Sequence, residues 1–552
     1  MIVAPGIKFR EDIEGLRAVA ILAVVLFHAG GILPGGLVGV DLFFVISGFL
    51  ITSLLLDEWR TRGAIDLLAF WARRARRILP SATVVLVCTA AAAAWFVSPL
   101  LLKQVGRDIM ASGYFGLNWR AALRAVDYSA PGDDASPVLH YWSLAVEEQF
   151  YLLWPLLLSA VLFLASRLHR KPGGLMIAAA VALIAMSLAY GVTETHGNQP
   201  LAFFSTFARV WQLLSGAVLA MLLTAGTALP TRLLPLLGAA GLALLLWSFF
   251  FIDPDSGFPG WIAALPVLGG VAIILSGTSG SGLVFSILST PPLRYIGRIS
   301  YVWYLWHWPV LFAGEVLFPA TGFAVHLGLV VLSFGLAVLT HVLVENPVRF
   351  SPSLAHSRLH SLILGVGLVL ASVAAGWAVT SYALNQSVAL RDGTLLKFED
   401  VTNDRSPAYR SDCHISQVEV VHQECRFGAP AVRPEVVLFG DSHAAHFFNP
   451  AEAAAKDTNT AFLMRSKSGC PAVLGPIWNG KFKRQYTECD TWKQVVLKEI
   501  AERKPKLVIL SSATQQAMMA PGAAAAAPEE ERPALYRIAL ARMITEILKS
   551  AE

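Results

Sequence analysis

Apolar residues run along this chain in blocks of about 20, the length at which an α-helix spans the hydrocarbon core of a bilayer. Eleven blocks stand out, near 16–33, 38–57, 79–99, 144–165, 174–191, 203–224, 233–252, 261–277, 298–317, 323–344 and 360–384. They predict a multi-pass α-helical membrane bundle of about ten core helices plus an eleventh. Past about residue 385 the pattern changes. Short β-like runs such as EVVLFGD (435–441) and KLVILSS (506–512) alternate with helical stretches, which predicts an α/β domain. Residues 385–430 read as a linker and an irregular lead-in, and MAPGAAAAAPEEERP (519–533) as a low-complexity loop.

The charged loops set an expected orientation, because short cytoplasmic loops carry an excess of Lys and Arg. With the N-terminus (Lys8, Arg10) inside, the inner loops hold Arg60, Arg62, Arg73, Arg74, Arg76 and Arg77, then Arg167, Arg170 and Lys171, then Arg232, Arg294, Arg298, Arg349 and Arg358. The outer loops 191–200 and 252–260 hold neither Lys nor Arg. The exception is the outer segment 100–143, with Lys103, Arg107, Arg120 and Arg124; too long for a simple turn, it is expected to fold over the outer face as a cap. Eleven spans leave everything after about residue 385 outside. The cysteines agree: Cys88 lies in an apolar block, whereas Cys413, Cys425, Cys470 and Cys489 all lie in the polar part, an even set that suggests two disulfides in an oxidising compartment. Cys413–Cys425 and Cys470–Cys489 are favoured among the three possible pairings.

Composition reinforces the membrane reading: the 552 residues are 55% hydrophobic and only 15% charged, outside the range usual for soluble globular proteins. The net charge of +5, scattered among short loops, gives nucleic-acid binding no support. The first apolar block is full length and lacks the pattern of a removable signal peptide, so it is expected to stay as an anchor.

Ionisable groups set into apolar blocks mark the candidate chemistry, because at membrane depth they cost several kcal/mol and tend to line a bundle interior or wet cavity. Arg17 and His28 are eleven positions apart, close to three whole turns, so both face the same way, roughly 16 Å apart along the axis. Asp41 follows a Gly/Pro turn near the start of the second block. It is expected at the depth of His28, giving a general base with an orienting acid.

These residues, with GVDLFFVISGFLI (39–51), WARRARRILP (71–80), HYWSLAVEEQFY (140–151) and GRISYVWYLWHWP (297–309), resemble the acyltransferase-3 family of integral-membrane O-acyltransferases over residues 9 to about 350. The resemblance implies transfer of an acyl group, commonly acetyl, from a cytoplasmic acyl-CoA such as acetyl-CoA to a sugar hydroxyl of an extracytoplasmic glycan, with His28 as the essential catalytic residue. No permanently bound cofactor and no metal are implied. The family's Arg-x-x-Arg acts on the donor, here Arg73 with Arg76 or Arg74 with Arg77, and the planar guanidinium suits phosphate oxygens; Arg17 joins them as a donor-binding candidate. Trp142, Ser143, Glu147 and Glu148 carry over as substrate-site candidates at the outer end of the fourth helix. Helical neighbours point about 100° apart, so at most one of the two glutamates is expected to face the cavity. Tyr141, Trp142 and Tyr151 suit an interfacial belt or a sugar-stacking wall. ARVWQLLSGA (208–217) resembles a further family block in which an acidic residue often follows the tryptophan; here it is Gln212. His307 reads as a structural hydrogen-bonder.

In LFGDSHAAH (438–446) a serine stands at a strand-to-helix turn, where backbone N–H groups can stabilise an oxyanion. The Gly-Asp-Ser context resembles the SGNH hydrolase/transferase family, which implies Ser442 as nucleophile and Gly469, in SGCP, as an oxyanion contributor. That family takes its base from an Asp-x-x-His near its C-terminus, and no histidine follows His446 here; the family's oxyanion-hole Asn is not evident around SSATQQ (511–516) either. The expectation is a domain that continues past residue 552, or else a degenerate serine site.

The expected organisation is therefore a membrane acyltransferase domain (9–350), an eleventh helix with linker (351–390) and an SGNH-like extracytoplasmic domain (391–552). The expected protein is an O-acetyltransferase of the bacterial inner membrane, N-terminus cytoplasmic and C-terminal domain periplasmic or extracellular. Its expected partners are acyl-CoA, membrane lipids and a surface polysaccharide or its lipid-linked precursor: lipopolysaccharide O-antigen first, peptidoglycan or exopolysaccharide as the alternative. A glycan or lipid-precursor transporter would also carry intramembrane Arg and His, but no convincing internal repeat is present. An esterase would need a complete serine site.

Overall fold

The computed structural model describes residues 10–549 apart from 127–135, 168–171, 228–229, 254–256, 319–321, 390–394, 399, 401–405, 430–434, 481, 483, 515–516 and 524. Lys8, Arg170 and Lys171 of the expected inner loops, and Gln515 and Gln516 of SSATQQ, lie outside the described residues. The chain divides into a helical unit, Met1–Phe398, and a second unit, Glu399–Glu552.

All eleven apolar blocks are helical. They form α1 (Glu11–His28), α2 (Gly39–Arg62), α3 (Leu67–Phe96), α6 (Tyr141–Arg167), α7 (Pro172–Gly197), α9 (Thr206–Thr224), α10 (Leu234–Phe251), α11 (Ala264–Ser276), α13 (Pro291–Leu317), α14 (Phe323–Thr340) and α17 (Arg358–Asn385). Among the described residues, eight helices are long and apolar enough to cross a membrane. α1 carries Glu11, Asp12, Glu14 and Arg17, α13 carries Arg294, Arg298 and Glu315, and α11 has only 13 residues. Short helices fill the gaps: α8 (Gln199–Phe204), α12 (Leu283–Leu288), α15 (Asn346–Arg349) and α16 (Pro352–His356).

The segment expected as a cap instead forms α4 (Pro99–Gly113) and α5 (Leu117–Val126). α4 lies along α17 and α3, because Gly106 and Gly376 leave no room for a Cβ and let α4 and α17 touch backbone to backbone. The fully buried Asp108 of α4 accepts from Arg120 Nε (2.6 Å) and Arg124 Nη1 (2.9 Å) of α5. Two of the cations that broke the loop pattern are thus consumed inside the fold.

A second close approach sets the site. Gly48 of α2 faces the Leu213 carbonyl of α9, and Gly216 of α9 faces the Val45 carbonyl of α2, again without space for a Cβ. Small residues of this kind let helices pack closely where lipid removes the usual hydrophobic drive. The contact brings Asp41, near the start of α2, against α9.

β1 (Ser387–Ala389) and β2 (Leu395–Lys397) form an antiparallel hairpin at the end of the helical unit. The second unit is built on a sheet of β3 (His414–Ile415), β4 (Arg426–Gly428), β5 (Val436–Gly440), β6 (Ala461–Lys467) and β9 (Leu507–Ser511). Residues 385–430, expected to be a linker and an irregular lead-in, therefore supply four short strands, β1 to β4, two of them in this sheet. β3, β6, β5 and β9 run parallel in that order, and β4 pairs antiparallel with β6. The pair β7 (Trp478–Asn479) and β8 (Arg484–Gln485) stands apart. Both favoured disulfides are present, with Cα–Cα distances of 5.7 Å for Cys413–Cys425 and 5.5 Å for Cys470–Cys489. β6 and β9 flank β5 on opposite sides, so the strand order reverses at β5, and ligands of such sheets bind beyond the carboxyl ends of the strands at that point.

Candidate active site

His28 closes α1, three turns beyond Arg17, and opens onto a cavity of about 170 Å³. His140, Trp142, Arg209, Tyr304 and Trp308 share its wall with apolar side chains. The Trp308 indole stands edge-on to the His28 ring, centroids 4.7 Å apart. His28 Nδ1 lies 3.3 Å from His307 Nε2, and His307 Nδ1 lies 2.6 Å from the Tyr304 carbonyl oxygen. The Tyr304 hydroxyl donates to the His140 carbonyl (3.0 Å) and sits 2.6 Å from Ser143 Oγ. Of the substrate candidates, Trp142 thus lines the cavity and Ser143 braces Tyr304. His307 does make the structural bond expected of it, but its second nitrogen faces the candidate base.

Asp41 does not orient His28. Its Oδ1 accepts from Gln212 Nε2 (2.5 Å) and lies 3.3 Å from Arg209 Nη1, both on α9. The physical reason is the α2–α9 approach at Gly48 and Gly216, which sets the carboxylate beside a buried cation that attracts it more than a neutral imidazole does. Arg209 is 1% exposed and surrounded by the Trp142, Phe203 and Phe258 rings at 5.3–5.5 Å. The acid therefore reaches the cavity through a guanidinium. Gln212, where the family block often has an acid, is the donor that completes this cluster.

The arginine run splits into two faces. Arg73 pairs with Glu58 (3.1 Å), and Arg76 donates to the Leu354 carbonyl (2.6 Å) and Ser361 Oγ (2.8 Å), tying α3 to α16 and to the first turn of α17. Arg74 and Arg77 face inward, within electrostatic reach of Glu147 and Glu148. Of the two possible Arg-x-x-Arg pairs, the interior one is Arg74 with Arg77. Glu147 Oε1 accepts from Ser47 (2.7 Å). α3 and α6 run antiparallel, Tyr141 Oη bonding Ala82 O and Trp71 Nε1 bonding Tyr151 O, so both glutamates fall level with Arg74 and Arg77. Expected together with the acceptor site at the outer end of their helix, they belong instead to this basin, and neither lines the His28 cavity. Arg17 reaches the same basin, near Arg77, Glu14, Glu147 and Glu345. A π-helical turn, His341–Glu345, swings Glu345 into contact with His341 Nδ1 (2.7 Å) and Arg349 Nη1 (3.2 Å). α1 thus joins a charged basin to a histidine cavity.

Sequence reasoning passed over Arg209, His140, Glu14 and Glu345. An isolated charge in an apolar block, the signal used for Arg17, was also present at Arg209. His140 had no such signal, since its partner is a backbone carbonyl of α13, Leu305 O, at 3.1 Å.

In the second unit Ser442 begins a short helix, Ser442–His446, directly after β5 at the switch point. Gly440 passes so close to the Ser511 carbonyl that no Cβ fits. The buried Asp441 caps the helix through His443 N (2.8 Å) and accepts from Ala513 N (2.8 Å) beyond β9, which pins the loop under Ser442. Gly469, at φ +61°, turns the chain after β6 at the same carboxyl end of the sheet. His414 of β3 is held between Ser466 Oγ (3.0 Å) and Ser468 Oγ (2.9 Å). Burial, aided by His446 and Lys467 and opposed by Asp441, pushes its imidazole down to about 4.

A family model described as "Acyltransferase domain" matches residues 10–344, and one described as "SGNH domain (fused to AT3 domains)" matches residues 412–552. O-acetyltransferase OatA of Staphylococcus aureus is 33% identical over 359 residues, 62% of this chain and 57% of that protein. Peptidoglycan O-acetyltransferase OatA of Listeria monocytogenes is 32% identical over 355 residues, 62% of this chain and 56% of that protein. The chain spans a little over half the length of these relatives. No solved structure matches it. The apolar helices, eight of them among the described residues long and apolar enough to cross a membrane, suit a multi-pass membrane protein. With its ordered motifs placed around one cavity and one basin, and a family match over most of its length, the chain belongs to the acyltransferase family and carries an SGNH domain later in its sequence.

Proposed function

We propose that this chain is an O-acetyltransferase that moves an acetyl group from acetyl-CoA to hydroxyls of a cell-surface glycan. The observation that carries this is the pairing of an arginine–glutamate cluster around Arg17, Arg74 and Arg77 with a histidine cavity at two ends of one helix face. The donor's phosphates bind Arg74, Arg77 and Arg17, and its thioester reaches the cavity. His28 takes the proton of the acceptor hydroxyl as the new C–O bond forms; the C–S bond then breaks and the thiolate takes that proton. Arg209, a cation in the water-poor wall, offsets the charge developing on the carbonyl oxygen.

The name of the Listeria relative favours peptidoglycan over lipopolysaccharide O-antigen as the acceptor. The loop charges and two disulfides support a bacterial inner-membrane protein with its N-terminus in the cytoplasm and the SGNH domain outside. There Ser442, opening a helix at the switch point, has the placement of a nucleophile.

Mass spectrometry of peptidoglycan and lipopolysaccharide from cells with and without the chain tests the reading. O-acetyl groups on sugar hydroxyls are expected only where the chain is present. Identical acetylation of both glycans in both strains would overturn it.

A further inference from the structure

The mechanism needs a lone pair on His28, and the geometry decides which ring nitrogen has it. His307 Nδ1 lies 2.6 Å from the Tyr304 carbonyl oxygen, which can only accept, so this nitrogen carries a proton. A neutral His307 then has its lone pair on Nε2. That atom faces His28 Nδ1 at 3.3 Å, so His28 must be the donor and carry its proton on Nδ1. The remaining nitrogen of His28, Nε2, has the lone pair.

We infer that His307 is a positioning residue that locks His28 in the Nδ1–H tautomer and so makes Nε2 the atom that takes the acceptor's proton. This rests on the reading of His28 as the base. His307 is fully buried, and the Tyr304 carbonyl fixes its ring orientation, so it holds its lone pair toward His28 without rearrangement. When His28 Nε2 takes the alcohol proton, the imidazolium keeps its Nδ1–H bond to His307. When the thiolate removes that proton, His28 returns to the starting tautomer. Without His307 the His28 ring would keep only its hydrogen bond to the Val24 backbone one turn back on α1 and would lose the lone pair that faces it across the bundle. The arrangement assigns to a second imidazole the orienting task that Asp41, engaged with Arg209 and Gln212, does not perform here.

The test uses the full chain in membrane vesicles with acetyl-CoA and a soluble glycan fragment. His307→Phe keeps the bulk but removes the acceptor; His307→Gln can place a carboxamide oxygen where Nε2 was. His307→Phe is expected to lower kcat about 10²-fold with both KM values within about twofold, and His307→Gln to restore most of that loss. Nitrogen-15 NMR of labelled histidine should find wild-type His28 protonated on Nδ1, a readout that survives if His307→Phe does not fold. Wild-type His28 protonated on Nε2, or His307→Phe with undiminished kcat while His28→Ala is dead, overturns the inference alone. Full activity in His28→Ala overturns the base reading beneath it.

Discussion

Replacing His28 with alanine is expected to cut acetyl transfer about 10³-fold, the range by which a positioned general base contributes. Label moving from acetyl-CoA to a glycan fragment measures it. The effect should fall on kcat: His28 lines the cavity at the end of α1, whereas the basin proposed to hold the donor phosphates lies three turns away around Arg17. Because His28 terminates its helix and is only half-buried, the variant should insert and fold. A matching loss of folded protein would instead point to a structural part for this imidazole.

The second large effect separates the two faces of the arginine run. Each charge-assisted hydrogen bond to phosphate contributes about 1.5–3 kcal/mol, so the double substitution Arg74→Ala/Arg77→Ala should raise the acetyl-CoA KM about 10²-fold or more. Arg73→Ala should leave KM close to wild type, since its partner is Glu58. Arg76→Ala should lower stability rather than affinity, because it frees the Leu354 carbonyl of α16 and Ser361 in the first turn of α17. Equal KM changes for the inward and outward pairs would contradict the assignment of Arg74 and Arg77 as the donor clamp.

What was legible in the chain was whatever depends on spacing along a single element. The apolar blocks announce their helices, eleven positions place Arg17 and His28 on one face, and a polar set of four cysteines anticipates both disulfides. Pairings between helices were hidden. Asp41 and Gln212 are 171 positions apart and meet only because glycines let α2 and α9 approach. The depth of Glu147 and Glu148 follows from how α6 slides against α3, a register set by Tyr141 and Trp71 bonding to backbone carbonyls. The partnership of His28 with His307 rests on a 3.3 Å contact across 279 positions. In the second unit the strand-to-helix turn at Ser442 was readable from FGDSH, but β3 and β4 were not, being runs of only two and three residues that earn their strand geometry from β6.

The central claim is that basin and cavity are two ends of one acyl route through the helical unit. The most direct measurement uses sealed vesicles holding the full chain, with labelled acetyl-CoA confined to the side bearing Arg74 and Arg77 and the glycan fragment to the other. The account predicts label on the glycan across an intact membrane, lost in His28→Ala. Label appearing only when donor and acceptor share one compartment would contradict it.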